Sequence, residues 1–261
     1  YAVLYLLTKH QVSRIFPNRA KDNNSNKPNR KLVNNIFRSA WRSGVGVLMT
    51  MGTITGSGLI VAQLASPLEA SSYLLAQRLA IAIGGYCYVP FQVIIPKISS
   101  FYASGNVTLL LCIAEKARRQ VTLLVILFGF GVLLVTEVGL PYIDYSFRFV
   151  SLDLWLVMMI YVLVERAGAT NMQLQSVNNK IKWHISNGVG GAIMILSMPF
   201  FFGYFGVLGM PISFLFGYLG FVYPYSIYQR IKAFGTFNML DEIKLIGVPL
   251  SLILILRFYI V

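Results

Sequence analysis

The sequence predicts an all-α integral membrane protein built almost entirely from transmembrane helices. Of its 261 residues, 56% are hydrophobic and only 12% are charged, whereas a soluble domain is about 45–50% apolar and about 25% charged. The mean hydropathy is +0.67. Apolar runs recur along the chain, and about 20 such residues let a helix cross a hydrocarbon core of roughly 30 Å. A soluble fold would have to bury all these runs at once, so we set that class aside.

The apolar stretches give seven candidate spans. They cover residues 44–65, 73–95, 121–140, 152–164, 185–205, 207–228 and 246–260. Pro90 and Pro96 lie in the second stretch, where they predict a kink or a helix end, since proline lacks a backbone N–H. The fifth and sixth stretches are joined by a very short turn around Gly206.

A polar, basic stretch at residues 9–43 marks the clearest boundary in the chain. Its middle is rich in Asn, Lys and Pro and is typical of a flexible linker. Residues 33–41 predict a short amphipathic helix on the membrane surface. The preceding apolar residues 1–8 are too few to span, and we interpret them as the end of a helix that begins outside the chain.

Lysine and arginine are concentrated on one set of alternate loops. These loops are residues 9–42, 97–119, 166–184 and 229–244. The opposite set is mostly acidic, with turns at residues 66–71, 141–150 and 203–207. The positive-inside rule therefore places the basic linker in the cytoplasm, and it accounts for the net charge of +13 without a nucleic-acid partner.

Arg78 is the most informative single residue, because a charge within a membrane helix is costly and usually faces a bundle interior or an aqueous cavity. It lies about one and a half turns inside the outer end of the second stretch, so snorkelling to the headgroups is the alternative. Tyr73 and Gln77 are spaced to share a helix face, and Gln63 on the preceding helix is a candidate for the same cavity mouth.

Polar residues also follow the end of the fourth stretch. They are Glu165, Arg166, Asn171, Gln173 and Gln175. A solvated cytoplasmic helix end is the simpler interpretation, and an inner gate or headgroup contact formed by Glu165, Arg166 and Asn171 is the functional one. Asn187 lies early in the fifth stretch, and buried amides in membrane helices often serve only to join helices.

Glycines are frequent in the first stretch, and Gly52 and Gly56 form a GxxxG pair. Such a pair allows close helix approach where lipid provides no hydrophobic drive for association. A packing face is one interpretation, and a helix that bends during transport is the other.

Enzyme motifs are not found in the sequence: it has no P-loop, no HExxH, no nucleophile elbow and no carboxylate pair placed for acid–base chemistry. Cys87 and Cys112 give no zinc spacing or disulfide framework, and only His10 and His184 could serve as imidazole ligands. We therefore expect no catalytic residue, no metal and no cofactor.

Three segments resemble the C-terminal lobe of the O-antigen and polysaccharide flippases in the multidrug/oligosaccharidyl-lipid/polysaccharide exporter superfamily. They are Trp41–Gly44 with the glycine-rich helix that follows, Ser72–Leu79, and the turn Phe202–Gly209. The resemblance covers most of residues 38–228. It implies a six-helix transporter lobe at residues 44–228 and an extra span within residues 229–261. Residues 1–8 would end a sixth helix of a missing N-terminal lobe, and residues 9–43 would link the two lobes.

The resemblance also implies a substrate and a place of action. The substrate would be an oligosaccharide on undecaprenyl diphosphate, flipped across the bacterial inner membrane for O-antigen and lipopolysaccharide synthesis. Arg78 is carried over as a cavity cation for the diphosphate, since arginine pairs well with phosphate oxygens. The expected partners are the N-terminal lobe, membrane lipids and a glycan polymerase complex.

Two other functions remain open at this point. A drug or cation exporter of the same superfamily should have acidic residues in its cavity, and these spans have almost none. A membrane enzyme or non-transport subunit of glycan assembly should have polar residues clustered around an acid or histidine at one membrane face, and the sequence indicates no such cluster.

Overall fold

The structure is a computed structural model that describes residues 30–136, 150–178, 182–235, 240, 242–249 and 251. Within these ranges 94% of the residues are helical and none lies in a β-strand. The chain divides into two compact units, Tyr1–Trp41 and Arg42–Val261. Of the first unit, residues 30–41 are described, and they are helical. The predicted stub at residues 1–8, most of the linker and most of the last predicted span lie outside the described residues.

Helix α1, Arg30–Leu64, contains the predicted amphipathic segment and the first predicted span. A tight turn at Ser66 leads into α2, Pro67–Cys87. The Ser66 hydroxyl accepts a hydrogen bond from the backbone N–H of Glu69, and the Glu69 carboxylate accepts one from the backbone N–H of Ser66. This reciprocal cap satisfies two donors at the start of α2.

The second predicted span is divided into two helices. α2 ends at Cys87, and α3, Val89–Ala103, begins after Tyr88 with Pro90 in its first turn. Proline is tolerated there because the first backbone N–H groups of a helix have no intrahelical acceptor. The predicted break at Pro90 is confirmed, whereas Pro96 lies within α3.

The segment predicted as a basic loop, residues 97–119, is largely helical. α3 continues to Ala103, Gly105 makes the turn with a φ of +76°, and α4 runs from Val107 to Leu134. The Asn106 side chain caps α4 by accepting a hydrogen bond from the N–H of Leu109. The loop prediction was therefore wrong: these charged residues extend two helices.

The second half of the chain forms a longer helical series. After α5, Leu152–Ser176, come α6, Trp183–Phe205, a single 3₁₀ turn, Gly206–Leu208, and α7, Gly209–Gly217. A π-helical turn, Tyr218–Val222, leads into α8, Tyr223–Phe234. Gly206, at the predicted short turn, has a φ of +56°, which glycine adopts without steric cost. Residues 242–249 are again helical.

The glycines of the first span contribute to helix packing, but the tightest approaches involve glycines of later helices. A Cβ on Gly209 would lie 2.2 Å from the Phe201 backbone oxygen, and one on Gly190 would lie 2.3 Å from the Val222 side chain. At the predicted GxxxG pair, a Cβ on Gly52 would meet nothing within 4 Å, and one on Gly56 would approach Ile195 at 3.2 Å. The closest approaches therefore occur at glycines of α6 and α7, and Gly191 of α6 would bring a Cβ within 2.3 Å of Thr53 on α1.

Four helical stretches in the described part are long and apolar enough to cross a membrane. They are Ala40–Leu64, Pro67–Ala103, Val107–Leu134 and Trp183–Phe234. These stretches are compatible with a multi-pass membrane protein, and they do not confirm the six helices predicted for the lobe. The last stretch contains two predicted spans. α5 is not among the four, and its second half carries Glu165 and Arg166.

The main core lies around α5, the most completely buried of the described helices. Trp155 and Met158 of α5 are fully buried and belong to a cluster that also takes side chains from α2, α4, α6 and α7. The indole N–H of Trp155 donates to the backbone oxygen of Gly129, at 3.0 Å. A smaller cluster, including Phe91 and Leu110, joins α3 to α4. Burial of polar side chains in the second half of α5 is costly unless they are hydrogen-bonded, and Arg166 and Asn171 both have side-chain partners.

Candidate functional site

A polar cavity of about 320 Å³ lies between α1, α5, α6 and the π-helical turn. Its walls include Thr50 of α1, Gln173 of α5, Asn187 of α6 and Tyr218 of the turn. Two smaller cavities, of about 80 Å³ and 30 Å³, share Thr50 and Tyr218 with it. We call this set the central cavity. A concave, largely preformed space with a few convergent polar groups is the usual form of a ligand site.

Two charged residues of α5, Glu165 and Arg166, line the central cavity and pair with each other. The Nε and Nη2 groups of Arg166 donate to the two carboxylate oxygens of Glu165. The guanidinium also lies over the ring of Tyr88, 5.2 Å from its centroid, an arrangement that arginine favours. The side chains are 20% and 22% exposed, so the pair is partly desolvated but still faces the cavity.

The uncharged polar groups of the cavity come mainly from α1 and α6. The Asn187 amide nitrogen donates to the backbone oxygen of Gly46 at 3.2 Å and to the Thr50 hydroxyl at 2.8 Å. A Cβ on Gly46 would lie 2.9 Å from the Cβ of Trp183, so the two helices are in close contact here. Asn187 thus joins helices, as its position in the sequence predicted, and it also lines the cavity.

The predicted substrate residues at the end of α1 and in α2 separate into two groups. Gln77 is buried, donates to the Ser57 hydroxyl at 3.0 Å, and lines the smaller cavity of about 80 Å³. Tyr73 is fully buried, and its hydroxyl has no hydrogen-bond partner among the described residues. Arg78 and Gln63 are exposed and line none of the described parts of the central cavity. Substrate binding by these residues stays a prediction.

The predicted gate residues are separated as well. Glu165 and Arg166 face the cavity, but Asn171 is fully buried one and a half turns further along α5. Its amide oxygen accepts a hydrogen bond from Arg230 at 3.3 Å, and its nitrogen lies 3.5 Å from the Ser226 hydroxyl. Asn171 therefore belongs to a different polar cluster, formed with α8.

That second cluster is a buried ion network that joins α4, α8 and residues 242–249. Arg118 donates to both carboxylate oxygens of Glu242, at 2.6 and 2.9 Å. Glu242 also accepts from Arg230 at 2.9 Å and from the Tyr223 hydroxyl at 2.6 Å. Glu115 contacts both arginines. Two guanidinium groups and two carboxylates therefore neutralise each other, with Arg118 1% exposed and Glu242 6% exposed.

The electrostatics of this network favour the ionised form of Glu242. Burial by itself raises the pKa of the Glu242 carboxyl. The charge and hydrogen bonds of Arg118, the hydroxyl of Tyr223 and the charge of Arg230 outweigh burial, and they hold that pKa below its usual range. A carboxylate with several charge-assisted donors is expected to behave in this way.

The cavity can bind and orient a ligand through hydrogen bonds, and the charged groups among its described lining residues, Glu165 and Arg166, are already paired with each other. No group of three or more His, Cys, Asp or Glu side chains that could hold a metal lies in the described ranges. No protein-family model, curated protein or solved structure matches the chain.

Proposed function

We propose that the chain is a lobe of a transporter that flips undecaprenyl-diphosphate-linked oligosaccharide across the bacterial cytoplasmic membrane. The observation that carries the proposal is the central cavity, a space lined by amides, hydroxyls and one ion pair inside a predominantly apolar helical fold. Ionisable side chains inside a membrane-embedded helical bundle are rare and often mark a substrate or ion path. The likeness of three segments to the flippase lobe gives the substrate class.

The mechanism we propose is alternating access, in which this lobe and a second one rock about the substrate and no covalent bond is broken. The central cavity would receive polar groups of the substrate, while the apolar lipid tail remains in the bilayer. Glu165 and Arg166 would act from α5, a helix held by its neighbours, so the polar groups keep a defined geometry.

One observation favours the rival function of cation or drug export. Glu165 lines the cavity, and a carboxylate there would attract a cationic substrate. However, both of its oxygens accept hydrogen bonds from Arg166, which offsets the negative charge. The pair therefore gives a cationic ligand no free carboxylate, and the polysaccharide substrate remains the better-supported proposal.

The test is complementation of a bacterium that lacks its own flippase, using the complete reading frame of the protein. We expect the wild type to restore surface glycan. Arg166→Ala should leave lipid-linked intermediate inside the cell at normal protein levels, because it leaves Glu165 uncompensated in the cavity. Lys116→Gln removes an exposed cation outside the cavity and should restore glycan as the wild type does.

Two results would contradict the proposal. The first is a wild type that restores no surface glycan with any of several donor strains while it raises resistance to cationic drugs, which would favour the exporter. The second is an Arg166→Ala variant that is as active as the wild type, which would remove the central cavity from the transport path.

A further inference from the structure

The charge balance of the central cavity is unusual for a site that binds a diphosphate. Among the described lining residues of its largest part, Glu165 and Arg166 are the charged ones, and they form a two-point ion pair with each other. A diphosphate would have to compete with the adjacent carboxylate for the guanidinium and would be repelled by it. Desolvating that anion beside Glu165 is costly.

The uncharged groups of the cavity are, in contrast, available to a ligand. The side-chain amide of Gln173 and the hydroxyl of Tyr218 line the cavity, and neither has a hydrogen-bond partner among the residues the structure describes. Asn187 uses its nitrogen for α1, and its amide oxygen accepts nothing from the described residues. Amides and phenols can both donate and accept, which suits hydroxyl groups.

Aromatic rings complete the walls. Trp183 and Tyr218 line the cavity, and the Tyr218 ring stacks on Tyr161 at an interplanar angle of 9°. Tyr88 also lines the cavity, but its ring is covered by the Arg166 guanidinium and stacks on Phe91. The negative face of an aromatic ring attracts the weakly positive C–H groups on the face of a sugar. The volume of about 320 Å³ would hold about ten water molecules at ~30 Å³ each, which is enough space for one monosaccharide.

We infer that the central cavity binds an uncharged, hydroxyl-rich sugar of the substrate and that the diphosphate lies outside it. This inference rests on the proposed function for the identity of the complete substrate. Gln173, Asn187 and Tyr218 are the sugar-binding residues, and Arg166 is a positioning residue held between Glu165 and the Tyr88 ring. The ion pair keeps the cavity neutral, so it selects a neutral ligand.

The test is competitive binding to the purified full-length protein in lipid nanodiscs, followed by tryptophan fluorescence. The two probes are neutral oligosaccharides released by mild acid from bacterial surface polysaccharide and farnesyl diphosphate, which carries no sugar. We expect the oligosaccharides to bind with little dependence on salt, since no net charge is involved. Gln173→Ala should weaken their binding about tenfold, and farnesyl diphosphate should not compete.

Matched variants sharpen this test. Gln120 is an exposed glutamine on α4 that does not line the cavity, so Gln120→Ala should bind oligosaccharide as the wild type does. Glu165→Gln should release Arg166 and give the cavity a net positive charge. Farnesyl diphosphate should then compete at low salt and lose affinity as salt is added.

The outcomes separate this inference from the proposed function. Oligosaccharide binding that requires Gln173 supports the inference even if the protein restores no surface glycan, which would count against flipping alone. The inference would be overturned, and flipping still supported, if the protein restores surface glycan but farnesyl diphosphate competes with oligosaccharide for the wild-type cavity. Failure of the oligosaccharides to bind, or equal binding by Gln173→Ala and Gln120→Ala, would overturn it as well.

Discussion

Replacement of Glu242 by glutamine is the most direct perturbation of the buried ion network. Glu242 receives two hydrogen bonds from Arg118, one from Arg230 and one from Tyr223. Glu242→Gln keeps the shape of the side chain but leaves a net positive charge in the network. Removing one partner of a buried pair costs about 3–5 kcal/mol.

The structure indicates the lower end of that range. Glu115 still contacts both arginines, and it is 19% exposed, so part of the uncompensated charge is screened. We expect a loss of about 3 kcal/mol in the free energy of unfolding, roughly two decades in the equilibrium constant. Lys116→Gln, an exposed change on α4, should shift it by no more than about 0.5 kcal/mol.

The assay is equilibrium unfolding of the purified protein in mixed micelles, with the SDS fraction as denaturant and far-UV circular dichroism as the signal. A double-mutant cycle with Arg118→Met should give a coupling energy of at least about 1 kcal/mol, because the two side chains are in direct contact. Two results would show that the network does not hold residues 242–249 in place. One is a Glu242→Gln variant as stable as Lys116→Gln, and the other is additivity of Glu242→Gln and Arg118→Met.

Three further predictions concern packing, polar contacts and pH. Gly209→Ala should destabilise the protein by more than about 1 kcal/mol, because the added Cβ would collide with the Phe201 backbone. Gly203→Ala, where nothing lies within 4 Å of the added Cβ, should be neutral or slightly stabilising. Thermal unfolding in detergent measures both variants. Ser57→Ala and Gln77→Leu should each lower the free energy of unfolding in SDS by about 0.6 kcal/mol. In the double variant the two losses should not add, because both changes remove the same hydrogen bond. Additive losses would show that Gln77 does not bind Ser57. The folded-state pKa of Glu242 is lowered, so its stabilising contribution is present above the pKa of an unfolded carboxyl and is lost as pH falls through the lowered value. The free energy of unfolding of Glu242→Gln should therefore fall less steeply than that of the wild type as the pH is lowered.

The sequence predicted those helices whose stability depends on apolar composition. α6 begins within two residues of the predicted fifth span and ends with it at Phe205, and the turn at Gly206 is where the chain has a glycine. The break before Pro90 was also predictable, because proline fixes its own φ and lacks an N–H. These features are local, so a single stretch of sequence contains the information.

The extent of α3 and α4 could not be predicted in this way. Charged residues at 97–119 indicated a solvated loop, but Arg118 is buried because Glu242 neutralises it from 124 residues further along the chain. Pairs of opposite charge so far apart carry no local pattern. The same applies to Asn171, whose partner Arg230 is 59 residues away.

The candidate site was predicted in part. Glu165 and Arg166 were singled out as polar residues at a helix end, and they line the central cavity. Their pairing and the contribution of α6 depend on the packing of helices, which hydropathy does not specify. Arg78 was selected because it is a charge in an apolar run. What it contacts depends on which side of α2 it lies, and the structure has Arg78 exposed while the adjacent Gln77 is buried.

The central claim is that the protein moves a lipid-linked glycan between leaflets. It is tested most directly by reconstituting the full-length protein in vesicles that carry a fluorescent undecaprenyl-diphosphate oligosaccharide. Accessibility of the glycan to an added glycosidase then measures its transfer between leaflets. Our account predicts that the wild type exposes the inner pool, that Lys116→Gln does so equally, and that Arg166→Ala does so much more slowly. An inner pool that stays protected with the wild type, at a protein density where each vesicle holds a functional copy, would contradict it.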